Sequence, residues 1–302
     1  MPADFIADES IDAQPSSRAS GAKSRARMST RNRLLFFLTA WLICLMPFLF
    51  WWNTWFGRQL SDRQLTEYLH DEKKPRHMQQ ALVQIGERIN RHDASAATWY
   101  PEVVRLSSGP VEEVRNTGAW VMGQDNAATS FHDALLKMLG DPSPMVRGNA
   151  ALSLVRFGDA TGRPQIVALL QPARLTAPGA GHVMDSDRAG TAIHQGGLIA
   201  QLKLSDSPQP GQPAQTIEIR TPIPGRIRSV AQTGAKLAAD AEIAVIDPGS
   251  DQIWEALRAL FLVGQIDDIP AILPYERDLP EISDRVRQQA ALTEKAIRER
   301  AK

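Results

Sequence analysis

The side chains in this chain that could do chemistry are six histidines, one cysteine and a few recurring arginines. The histidines are His70, His77, His92, His132, His182 and His194. A metal site needs several such groups, with or without carboxylates, converging on one point. His70-Asp71, His92-Asp93 and His132-Asp133 set an acid directly after each histidine. Neighbours on a helix point about 100° apart, so these pairs do not chelate together. His70 and His77 are two turns apart, but Pro75 breaks the helix between them. The single cysteine, Cys44, excludes an intrachain disulfide, a cysteine-built zinc site and Cys-x-x-Cys-His haem attachment. No Gly-x-Ser-x-Gly elbow, phosphate loop, or Gly-x-Gly-x-x-Gly turn after a strand is present. The expectation is a protein that is not an enzyme, with no catalytic residue, no metal and no cofactor.

The arginines carry a different message. Arg147 lies in Val146-Arg147-Gly148-Asn149-Ala150-Ala151-Leu152, which recurs as Val286-Arg287-Gln288-Gln289-Ala290-Ala291-Leu292. A looser copy is Val114-Arg115-Asn116-Thr117-Gly118-Ala119-Trp120. Each places a valine and small residues four and five positions later on one helical face, where a neighbouring helix can come close. Arg115 to Arg147 is a step of 32 residues. Helix pairs recurring at that period predict an α-solenoid, with an ordinary helical bundle as the plainer alternative. These residues resemble the HEAT-repeat family, whose second helix often carries Val-Arg-x-x-Ala-Ala. The resemblance implies that the arginines bridge to carbonyls or acids of the next repeat. The iron-binding HEAT-repeat hydroxylases use paired His-Glu motifs, and no histidine here precedes Glu.

The chain begins with a tail, 1–33, poor in large apolar residues, which reads as disordered. Its acids come first, and Arg18, Lys23, Arg25, Arg27, Arg31 and Arg33 follow. Residues 34–56 then run for 23 positions without an acid or base. As a helix they reach roughly 34 Å, enough for a hydrocarbon core of ~30 Å. Trp51, Trp52 and Trp55 cluster at the far end, where rings favour the membrane interface. A single transmembrane helix is expected. The basic flank puts the N-terminus in the cytoplasm, making this an inner-membrane protein with its C-terminal domains periplasmic. Over the whole chain 34 Lys and Arg balance 34 Asp and Glu, so no broad field attracts nucleic acid.

Residues 57–172 keep helical spacing. Leu65 and Leu69, then Met78, Ala81, Leu82, Ile85 and Ile89, form a capping repeat. Trp99 to Gly123 and Phe131 to Gly158 give further pairs, and Arg163 to Leu170 starts another. Trp99, Tyr100 and Trp120 read as an aromatic cluster, either core or a partner-binding groove.

Residues 173–250 change to Pro, Gly and β-formers, and they repeat internally at an offset of 44. Ala177-Pro178-Gly179-Ala180-Gly181-His182-Val183 lies over Thr221-Pro222-Ile223-Pro224-Gly225-Arg226-Ile227. Each unit reads as three strands joined by turns. Helices resume in 251–302, at Ile253 to Gly264, Asp267 to Tyr275 and Glu281 to Arg300. From Arg147 to Trp254 is 107 positions, and removing the 78 residues of 173–250 leaves 29, close to one period. The β-segment therefore reads as an insertion within one helix pair. The fold class expected is mainly α: a HEAT-like solenoid with a small all-β insert and one N-terminal membrane helix.

The duplicated β-segment resembles the biotinyl/lipoyl barrel-sandwich hybrid. Ile219-Arg220-Thr221-Pro222-Ile223-Pro224-Gly225-Arg226-Ile227 is similar to the second half-motif of periplasmic adaptor (membrane-fusion) proteins. In lipoyl and biotin carriers the modified lysine sits on the turn between the halves. Here that turn, Ser205 to Gln215, holds no lysine, and Lys203 lies at a strand end without flanking acid or Met. Adaptors insert a coiled-coil hairpin at the same place, and this chain has only a Pro-rich segment. The resemblances imply a membrane-anchored scaffold or adaptor serving an envelope transport complex, binding protein partners through its repeats and an unmodified lipoyl-like domain. Trp99, Tyr100, Trp120, Pro178, Gly181, Pro222 and Gly225 are the candidate partner-binding residues. The alternatives are a HEAT-like bilin lyase or accessory enzyme, or a covalent carrier modified at Lys203.

Overall fold

A computed structural model describes residues 30–53, 59–205 and 215–302, without the side chains of residues 32, 33 and 47–53. The tail up to residue 29, the tryptophan cluster's side chains and residues 206–214 of the Pro-rich segment lie outside the described residues. The chain divides into two units, Met1–Gln59 and Leu60–Lys302.

In the first unit, helix α1 spans Thr30–Asn53. Its described apolar side chains run from Leu34 to Met46 and are largely exposed on every side, with Leu34, Phe36, Phe37, Trp41 and Ile43 all open. Among the described residues no helix is long and apolar enough to cross a membrane.

The second unit opens with helix pairs: α2 (Asp62–Leu69) and α3 (Pro75–Asn90), α4 (Tyr100–Leu106) and α5 (Glu112–Met122), α6 (Thr129–Met138) and α7 (Pro144–Arg156). Helix starts are marked chemically. Ser61 and Gln64 form a reciprocal capping box, Ser143 Oγ accepts from the Val146 amide, and Pro75 and Pro144 occupy first-turn positions. α8 (Arg163–Ala168) packs on α9 (Ser250–Val263), although the whole β-segment separates them in sequence. α11 (Asp284–Arg300) packs on α9. The second helices α3, α5, α7, α9 and α11 thus form one row, each packed on the next.

Small residues set the spacing in that row. Ala150, Ala151 and Ala290 are fully buried. A Cβ on Gly123, at the end of α5, would stand 2.5 Å from Ser153 Oγ on α7, and one on Gly86 of α3 would stand 2.8 Å from the Trp120 ring of α5. Close approach lets polar atoms bridge adjacent helices. Asn149 donates to Asn116 Oδ1 at 2.7 Å, Ser153 Oγ to the Ala119 carbonyl at 2.8 Å, and Thr293 Oγ1 to the Leu257 carbonyl at 2.9 Å. The helix expected over Asp267 to Tyr275 is broken instead. A 3-10 turn over Ile266–Asp268, a single turn α10 (Ile269–Ile272) and another 3-10 turn over Leu273–Glu276 replace it. Pro270 and Pro274 remove amide donors and prevent a continuous helix.

Among the described residues between α8 and α9 lie eight strands: β1 (Ala173–Thr176), β2 (Gly181–Ser186), β3 (Ala192–Ile193), β4 (Leu198–Leu204), β5 (Thr216–Arg220), β6 (Gly225–Val230), β7 (Lys236–Leu237) and β8 (Glu242–Pro248). They form two antiparallel sheets, β1-β8-β6-β3 and β5-β4-β2-β7, and no closed barrel among the described residues. The expected three strands per half become four, because the two-residue strands β3 and β7 follow the turns at Gly190 and Gly234. Those glycines share a φ of 87°. Shifting β1, β2, β3 and β4 by one half gives β5, β6, β7 and β8 and converts each sheet into the other. Each sheet therefore mixes both halves. The bonds follow the same symmetry: Gly190 N–H donates to the Ile227 carbonyl and Gly234 N–H to the Val183 carbonyl, both at 2.7 Å.

The β-core contains Val183, Ile199, Leu202, Ile227, Ile243 and Ile246, and Met145 from α7 packs against it. Gln195 Nε2 donates to Glu112 Oε1 at 2.5 Å, which also receives Ser143 Oγ at 2.6 Å. Tyr275 Oη donates to the Leu170 carbonyl at 2.5 Å, and burial raises its phenol pKa to about 12.

A Cβ on Gly225 would meet the Asp247 carbonyl oxygen at 1.8 Å, backbone against backbone. Gly225→Ala is expected to cost ~1–3 kcal/mol of β-domain stability. Hydrogen exchange at β6 and β8 amides should then accelerate about tenfold or more. Unchanged protection would contradict the strand register.

Candidate functional site

The recurring arginines occupy the turns. Arg115 grips Asp141 through both carboxylate oxygens, Nε to Oδ2 at 2.7 Å and Nη2 to Oδ1 at 3.0 Å. Its Nη1 donates to the Gly109 carbonyl at 3.0 Å in the turn of its own repeat. Arg147 does likewise one repeat later, donating to the carbonyls of Asp141 and Pro142 at 2.6 and 2.9 Å. Arg287 turns instead to the exposed acids Asp278 and Asp284. Burial alone would raise the Asp141 pKa, but Arg115 and the Ser143 amide hold it below the ordinary carboxylate value. The same pairing raises Arg115. Arg115 and Asp141 edge a groove of about 640 Å³ that also includes Val104, Ser108 and Lys137.

The three aromatic candidates do not form one cluster. Trp99 is 4% exposed, donates Nε1–H to Thr66 Oγ1 at 3.1 Å, and lies under the Arg88 guanidinium. Tyr100 packs on Phe131 with centroids 4.3 Å apart and donates to Asp125 at 2.7 Å. Burial and the Asp125 carboxylate push its hydroxyl pKa well up. Only Trp120 is open, at 41% exposed, and exposed Val83 lies on α3, the helix packed against α5. Trp120 covers Gly86 so closely that a Cβ there would come within 2.8 Å of the ring. Sequence reasoning missed Val83 and Gly86. The signal was there: a mid-helix glycine costs ~1 kcal/mol against alanine and calls for a packing reason.

The β-segment candidates are placed by strand packing. Gly181 and Gly225 are equivalent under the internal symmetry, and a Cβ on either would strike a carbonyl, that of Lys203 at 2.4 Å or of Asp247 at 1.8 Å. Pro178 and Pro222 stand in the turns leading into β2 and β6. Lys203 sits within β4, opposite His182 and Thr216, not on the turn between the halves.

Three histidines stand beside acids, His70 among them with its Nε2 3.5 Å from Glu102 Oε1. His77 meets Asp71 at 2.9 Å and stacks on Tyr68, and His132 reaches Asp159 across the repeat at 2.8 Å. His70 Nδ1 lies 2.8 Å from the Thr66 carbonyl. Among the described residues no three His, Cys, Asp or Glu side chains converge as a metal site.

The described helices of the second unit pack largely as successive pairs. The HEAT repeat model matches residues 133–160, which take in most of α6, the turn at Asp141, all of α7 and the turn after it. No curated protein matches the chain.

Asp141→Asn should weaken the repeat junction by roughly 1.5–3 kcal/mol at neutral pH. Because the folded pKa is depressed, the carboxylate stabilises the fold above about pH 4 and loses that contribution as pH falls through the folded value. Urea midpoints of the wild type and Asp141→Asn should therefore differ at pH 7 and converge towards pH 3. A constant difference across that range would contradict the assignment.

Proposed function

We propose that the chain is a membrane-anchored, non-enzymatic scaffold that binds protein partners through its helical repeats and its β-domain. The observation that carries this reading is Trp120, a large aromatic left 41% exposed on α5 in the row of second helices. Aromatics held rigid yet open are favoured anchors for protein partners. Solenoids add an extended surface on which similar ridges repeat.

Two finer readings accompany it. α1 is read as a single membrane span, supported by large apolar side chains on all its faces, a pattern suited to lipid. The β-domain is read as a biotinyl/lipoyl-type barrel-sandwich hybrid without modification. Support comes from its duplicated halves and their exchange of strands between two sheets. By analogy with adaptor proteins, it stacks on components of an envelope transport complex.

Trp120→Ala should reduce the set of proteins retained by the full chain after cross-linking in membranes, while its helical circular dichroism stays unchanged. Retention of the same proteins at the same yield would remove Trp120 from the interface. A reporter fused after Lys302 should be active only outside the cytoplasm, and cytoplasmic activity would overturn the orientation.

A further inference from the structure

The two halves of the β-domain are equivalent in backbone but not in charge. On the outer face of the β5-β4-β2-β7 sheet, Lys203 stands opposite His182, and His182 stands opposite Lys236 on its other side. Directly opposed residues in antiparallel strands are ~4.5–5.5 Å apart, so three basic side chains form one row across three strands. Both lysines are exposed, and none of the three has an ion-pair partner among the described residues. Unlike charges placed opposite would have stabilised the sheet, and like charges do the reverse. Two acids flank Gln201 farther along that face: Glu218, engaged by Arg220 at 2.7 Å, and Asp185, whose Oδ1 accepts from the Ser186 amide at 2.9 Å.

The other half supplies an internal control. Adding the offset of 44 takes Lys203 to Asp247 and His182 to Arg226, and subtracting it takes Lys236 to Ala192. There the charged groups are engaged. Asp247 pairs with Arg228, and Arg226 donates to the Gly190 carbonyl at 2.6 Å. The same backbone thus carries a closed charge set on one side and an open cationic one on the other. Sheet formation does not require the open set, since its twin manages without it.

A cavity of about 650 Å³ adjoins the open set. Its wall includes His182 and Lys203, the hydroxyls of Thr233 and Ser205, and the apolar side chains Met184 and Leu204. Met184 is half exposed beside the cations. From this juxtaposition we infer that the Lys203–His182–Lys236 row and its cavity bind an organic anion: a phosphate or carboxylate head on the cations, with an apolar body against Met184 and Leu204. Two lysines supply point charges for the head, and the hydroxyls supply further hydrogen bonds. This site is independent of Trp120 and of the scaffold reading.

The test is calorimetric titration of the full chain in a non-ionic detergent with phenyl phosphate, inorganic phosphate and phenol. Phenyl phosphate should bind more tightly than inorganic phosphate, and phenol should not bind. Lys203→Gln with Lys236→Gln should weaken phenyl phosphate about tenfold or more, whereas Arg228→Gln in the twin half should leave it unchanged. Phosphatidylcholine vesicles containing phosphatidic acid separate the sources of the head group: competition assigns it to a lipid surface, and no competition assigns it to a soluble ligand. Equal affinity for the wild type and the double-lysine variant would overturn the inference. So would phenol binding as well as its phosphate, or an equal loss on Arg228→Gln.

Discussion

Everything in the helical unit depends on how near consecutive second helices can come. α7 shows the constraint most clearly. Gly123, at the end of α5, leaves no room for another carbon beside Ser153 of α7, and that proximity brings Ser153 Oγ within 2.8 Å of the Ala119 carbonyl. One packing choice therefore yields both apolar contact and a polar bridge between repeats. Arg115 and Arg147 then fasten the turns, each saturating carbonyls that a tight helix–turn–helix leaves unpaired. The Arg115–Asp141 pair is mostly buried and hydrogen-bonded at both oxygens, so losing either partner strands a charge.

The β-domain obeys a different constraint. Neither half closes a sheet alone, since β1 pairs with β8 and β5 with β4. Gly181 and Gly225 mark where the strands approach most closely, and Met145 and Glu112 tie the domain to α7 and α5. Duplication gave the two halves one backbone, and divergence then acted on their outward charges.

How much of this was legible in the sequence follows from range. Val146, Arg147, Ala150 and Ala151 signal within one helix, because four-residue spacing is local, and the HEAT repeat match falls on that stretch. The offset of 44 revealed a β-rich duplication because Pro178 and Gly181 recur as Pro222 and Gly225. The strands β3 and β7 escaped notice, since two residues show no alternation. The break around Ile269 was written in Pro270 and Pro274 yet read as continuous helix. Trp99, Tyr100 and Trp120 were grouped by proximity in sequence. Adjacent helical residues point about 100° apart, and Trp120 belongs to another helix whose exposed face only packing defines.

The central claim is that the helices on either side of the β-domain form one helix pair, so that the row of second helices continues across the insertion. Gln252 Nε2 at the start of α9 donates to the Leu169 carbonyl at the end of α8 at 2.9 Å, so the two ends already meet. The most direct measurement is hydrogen exchange on a full chain in which 173–249 is replaced by a short Gly/Ser linker. Loop-closure cost changes slowly with length, so α9 and α11 amides should keep their protection and unfold together with α7. Loss of protection in α9 and α11 alone, with α3 to α7 intact, would show that the repeats do not continue through the β-domain.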